Sequence, residues 1–62
     1  MNYRLEVVGR DAAVIASEMI DRGADVVARV QTLRLEHPEC DRIDVYGGLS
    51  KLFAINCDGV LL

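Results

Sequence analysis

Cysteine and histidine are scarce in this chain: Cys40 and Cys57 are its two cysteines and His37 its one histidine. Two cysteines do not make a disulfide scaffold. With only His37 and Cys40 close in sequence, the soft ligands also fall short of the paired set that a structural zinc site takes. Long apolar runs are missing as well, the longest being residues 12–16, far below a membrane span. Arg4, Glu6 and Arg10 interrupt the start of the chain, so no charged-then-apolar leader is legible there. These absences lead to the expectation of a soluble, cytoplasmic protein with reduced cysteines. A Cys40–Cys57 bridge is open to it only in an oxidising sample.

Positive charge is also in short supply. Seven Lys and Arg stand against ten Asp and Glu, a net charge of −3. The arginines are scattered, and most have an acid close by in sequence. Neutralising phosphates takes clustered cations, so nucleic-acid binding is disfavoured. The sequence 47–51, Gly-Gly-Leu-Ser-Lys, lacks the full glycine spacing of a phosphate loop and precedes a strand, which makes it a hairpin turn. Cys40 with His37 has no legible oxyanion site, and Ser17 and Ser50 have no histidine nearby. The expectation is a protein that is not an enzyme and carries no cofactor.

What the chain does have is apolar content. Its 62 residues form a single domain (1–62) near the lower limit for independent folding, yet 52% of them are hydrophobic. So small a globule has little interior, and some of that surface must meet a partner or a second copy.

The dominant pattern lies in residues 11–36. Ala12, Ala16, Met19, Gly23, Val26, Val30 and Leu33 recur at steps of four and three, which predicts one amphipathic helix capped by Asp11 and closed by His37-Pro38. Gly23 falls on the apolar stripe. The helix is carried across it, straight or kinked, with a break into two helices as the alternative. A strand over residues 25–35 is disfavoured because alternation fails there. Period-two patterns mark three strands: Tyr3, Leu5 and Val7; Ile43 and Val45; Phe53, Ile55 and Cys57. Residues 60–62 are an apolar tail with the makings of a short extra strand.

The expected architecture is therefore α+β, a single small β-α-β-β domain with one long helix on one face of a three-stranded mixed sheet. Tyr3, Leu5, Val7, Ile43, Val45, Phe53 and Ile55 would meet the helix. Arg4, Glu6, Val8, Arg42, Asp44, Tyr46, Leu52, Ala54 and Asn56 would line the back of the sheet, with nothing in the chain to cover it. Parallel pairing is usually covered on both faces, so a second copy is the simplest cover. An edge strand could also extend into a neighbouring chain.

The first functional expectation is a small non-enzymatic protein-binding module, homodimeric, that masks a surface of another protein. Its contacts would be Arg4, Glu6, Arg42, Asp44 and Tyr46 on the back face, together with Leu61 and Leu62 of the tail. Tyr46 and Arg42 would be the anchors, since Tyr and Arg supply much interface energy. Small acidic chains without a legible site are common among phage products that inhibit a host protein, and that class suggests the partner. The second expectation is a metal- or ligand-binding domain using His37, Cys40 and Cys57. A third is an enzyme subunit whose site is shared across a dimer.

Overall fold

The computed structural model describes residues 2–62. Its elements follow in the order β1 (Tyr3–Gly9), β2 (Val14–Ile20), α1 (Val26–Glu36), β3 (Cys40–Gly47) and β4 (Ser50–Asn56), with a 3-10 turn at Gly23–Asp25 leading into α1. The strands make one sheet in the order β2-β1-β3-β4, and every neighbouring pair is antiparallel. The expected three-stranded mixed sheet under a long helix is thus corrected to a four-stranded antiparallel sheet with a short one. Only the second half of residues 11–36 is helical.

The first half is strand because its local chemistry closes a hairpin. Ala12 N donates to Gly9 O at 3.0 Å and Gly9 N to Ala13 O at 2.8 Å, folding β2 back along β1. Asp11 does cap, but it caps this turn, its carboxylate accepting from Ala13 N at 3.1 Å. The helical spacing of Ala12, Ala16, Met19 and Gly23 was a coincidence of three environments. Ala12 lies in the turn, Met19 is 61% exposed, and Gly23 follows the strand. The half-buried residues of β2 are Ala16, Glu18 and Ile20, which is period two. On an edge strand burial is partial, so a charged residue can occupy the inward series and hide the alternation.

Ala12 carries the one positive φ outside glycine among the described residues, 68°. An L-residue in the left-handed region costs roughly 1–2 kcal/mol. Glycine returns about 0.5–1 kcal/mol of this through its freer unfolded chain. Ala12→Gly should therefore raise the urea midpoint by the equivalent of up to about 1.5 kcal/mol. A lowered midpoint would contradict the turn geometry.

The extra strand also sets chain direction. After β2 reverses the chain, α1 carries it back, and β3 enters antiparallel to β1. No adjacent parallel pair arises. The helix buries Val26, Val30 and Leu33, spaced by four and three along one face. They meet Leu5, Val7, Ile43 and Val45, all fully buried, with Tyr3, Phe53 and Ile55 packed at the margin. Each large side chain so buried contributes on the order of 1.5–3 kcal/mol. Gly23 lies ahead of α1 rather than within it. A Cβ there would stand 3.1 Å from the Tyr3 hydroxyl, so the bare backbone lets the chain pass against that ring. At the other end His37 N donates to Leu33 O, and Pro38 then forces the chain out of the helix.

Gly48, at φ 63°, turns β3 into β4 through a two-residue loop. A bulge then shifts the register: Val45 pairs with Phe53, but Tyr46 pairs with Lys51. Leu52 is the extra residue. It leaves the back face expected of it and lines an apolar groove with Tyr3, Val26 and Val27 at the start of the helix. Beyond β4, a turn at Asp58-Gly59 brings the tail alongside. Asn56 N donates to Val60 O, Leu62 N donates to Ala54 O, and Ile55 bridges to Leu61. No helix among the described residues is long and apolar enough to cross a membrane.

Cys40 and Cys57 are joined in a disulfide across a Cα–Cα distance of 6.1 Å. Cys40 opens β3 and Cys57 follows β4, so the bond closes the hairpin at the end opposite its turn. Thiols expected to be reduced are paired because antiparallel register brings these two chain positions together.

Candidate functional site

Side chains alternate along each strand, so the face opposite α1 is a lattice of cross-strand rows. One row runs Met19, Arg4, Tyr46, Lys51, and the next runs Ser17, Glu6, Asp44, Ala54. A third runs Val14, Val8, Arg42, Asn56. The pairing of Asn56 and Ala54 with the tail adds Val60 and Leu62 at the far margin. The helix packs against the opposite face, and on this one Val8, Asp44 and Ala54 are buried among their neighbours.

Arg4, Glu6, Arg42, Asp44 and Tyr46 therefore do share one surface, on the two central strands. The tail leucines divide. Leu62 continues the back-face row beyond Ala54, whereas Leu61 pairs with Ile55 on the helix side. Two contributors were not legible in the sequence: Lys51, brought in by the bulge, and the apolar margin of Val14 and Met19, which lie in the stretch expected to be helix, Met19 on its apolar stripe.

The row of Glu6 opposite Asp44 sets two acids side by side, which is unfavourable alone. Cations in the flanking rows offset it. Asp44 Oδ1 accepts from Arg42 Nε at 3.0 Å and forms an ion pair with Lys51 Nζ at 3.2 Å. Glu6 Oε2 lies 3.0 Å from Arg4 Nε. That last contact is an ion pair with poor hydrogen-bond alignment, and Arg4 Nε is buried without an acceptor. The Arg4 guanidinium instead lies over the Tyr46 ring, 4.5 Å from its centroid, a cation–π contact. Asp44 is only 3% exposed, so it offers nothing directly to a partner. Its part is to hold Arg42 and Lys51 in place. The centre of the face is charged and its two margins are apolar.

Glu18 and Arg29 form a second charged feature, on the helix side. Arg29 Nε and Nη2 donate to the two Glu18 oxygens at 2.8 and 2.7 Å. This hydrogen-bonded guanidinium holds the Glu18 carboxyl below its ordinary range. A depressed carboxyl pKa stabilises the fold at neutral pH, and the contribution is lost as pH falls through the folded-state value, below 4.5. Both groups are partly solvated, so the effect is modest.

The metal-ligand set does not assemble. Cys40 and Cys57 are bonded to each other, and His37 Nδ1 lies 3.3 Å from Glu39 Oε1. Among the described residues no group of three or more His, Cys, Asp or Glu could hold a metal ion. The Glu39 carboxyl sits below its usual range, first through its own backbone amide and then through His37. Beside the disulfide is an open cleft of about 460 Å³ where Arg10, Arg34, Asp41 and Asp58 meet. Arg34 Nε donates to Cys57 O at 3.2 Å there, tying the helix to the end of the hairpin. No protein-family model, curated protein or solved structure matches the chain.

Proposed function

We propose that this protein is a small non-enzymatic protein-binding module, homodimeric, which masks a surface of another protein with the open face of its sheet. The observation that carries the reading is the juxtaposition of Arg4, Arg42 and Tyr46 on the two central strands, opposite the helix. The Tyr46 ring and the Arg4 guanidinium are already ordered against each other, and Asp44 fixes Arg42. Pre-ordered side chains lose less entropy on binding. Tyr and Arg are also the residue types that most often anchor interfaces. Exposed Met19, Val14, Val60 and Leu62 add apolar area at the margins.

A host protein masked by a phage product is the partner class we favour, on small size and acidity alone. The test uses a partner isolated on immobilised protein and then purified. Two interface anchors lost together should weaken its binding at least roughly 100-fold in a Tyr46→Ala, Arg42→Ala double variant. Equal affinity of wild type and double variant would place the binding surface elsewhere.

A further inference from the structure

We infer that two copies of the chain pair antiparallel along the outer edge of β2, joining their sheets into one. The inference rests on the homodimeric reading above and names the surface that builds the dimer. Strand β2 is the outermost in the sheet, and among the described residues nothing pairs with its outer side. Gly9 N faces β2 across the hairpin, so by alternation Val7, Leu5 and Tyr3 also direct their backbone groups to it. Their partners Ala16, Glu18 and Ile20 bond inward. Ser17 and Met19 then turn their N–H and C=O groups outward.

Natural sheet edges are blunted by charged side chains, lysine above all, by inward-pointing charges, proline, bulges or a covering segment. The two edges of this sheet differ in that respect. The β4 edge is covered by the tail over residues 54–56, through Asn56 to Val60 and Leu62 to Ala54, and its earlier part carries Lys51 and a bulge. Strand β2, Val-Ile-Ala-Ser-Glu-Met-Ile, has neither lysine nor proline. It carries one inward charge, Glu18, and that charge is paired with Arg29 of its own chain. Its bulge lies at its first residues, which leaves the stretch from Ala16 to Ile20 in regular register. Along this edge Val14 is 53%, Ile15 40% and Met19 61% exposed.

Charge favours a second copy as the occupant. The only charged residue in β2 is Glu18, and Arg29 of the same chain already neutralises it. In an antiparallel register centred on Ser17, Glu18 faces Ala16 of the second copy, and Met19 comes up against the bulge at Ile15. No like charges stand opposite each other. The two Glu18 side chains lie diagonally on the same face, roughly 7–8 Å apart, and each is already neutralised by the Arg29 of its own chain. Twofold symmetry about Ser17 also keeps both helices on one side and both open faces on the other.

Ser17→Lys sets two ammonium groups against each other on that axis, at an exposed position that the monomer does not need. Sedimentation equilibrium of the full chain should give the mass of two chains for wild type and of one for Ser17→Lys. An equimolar mixture of Ser17→Lys and Ser17→Glu should return to two. Recovery in the mixture shows that the single variant is folded. Amide exchange at Ser17 and Met19 should slow as wild-type concentration rises. A monomeric wild type would overturn both the edge and the homodimer. A Ser17→Lys chain that stays dimeric, or a mixture that stays monomeric while each variant is folded by circular dichroism, would overturn the edge alone. The Tyr46→Ala, Arg42→Ala chain should remain dimeric, which separates this surface from the open face.

Discussion

Reducing the Cys40–Cys57 bond should lower the melting temperature by roughly 20–25 °C, the equivalent of about 3 kcal/mol in a domain of this size. The cysteines are 17 residues apart. Closing a loop of that length removes about 3 kcal/mol of chain entropy from the unfolded state in the loop-entropy model. A chain of this length has on the order of 3–9 kcal/mol of total stability, so the bond is a large share of it. Its place at the open end of the β3–β4 hairpin adds a second effect. Arg34 binds the Cys57 carbonyl, so fraying of that end would also release the helix C-terminus from the sheet. Melts with and without reductant measure the loss, and Cys57→Ser should reproduce the reduced value. Equal melting temperatures would show that the bond does not form in solution.

Ile43→Ala should come close to unfolding the domain. Ile43 is fully buried and stands between Val7 on β1 and Ile55 on β4, beneath the helix. Truncating such a side chain leaves a cavity and costs about 2–5 kcal/mol, whereas Ile43→Val costs about 0.5–1.5. With total stability near the same size, the alanine variant should show a largely unfolded population in reductant and a marginal folded one with the bridge intact. Urea denaturation of the three chains, oxidised and reduced, gives the series. If Ile43→Ala lost no more than Ile43→Val, the centre of the core would lie elsewhere.

The open face was readable because it depends on alternation within single strands. Arg4 and Glu6 must oppose Leu5, and Arg42, Asp44 and Tyr46 must oppose Ile43 and Val45, whatever the strands pair with. Leu52 left the back face, and Lys51, expected in the turn, joined it, because a bulge inserts one residue, and no residue type in that stretch marks the place. The margin of Val14 and Met19 stayed hidden for a different reason. An edge strand exposes apolar residues and can half-bury a charged one, so Ile15, Glu18 and Met19 obscured the period of two.

What residue order settled by itself was local: three strands from alternation, a helix end from His37-Pro38, a turn from Gly47-Gly48, and the five polar and aromatic residues that share a face. Pairing was settled only in three dimensions. Whether residues 14–20 coil or extend depends on the free edge of β1, which offers hydrogen bonds that a helix could not use. The same pairing decides strand direction, the meeting of Cys40 with Cys57, and which edge is left open. Those outcomes depend on contacts between segments far apart in the chain, and local periodicity carries no information about them.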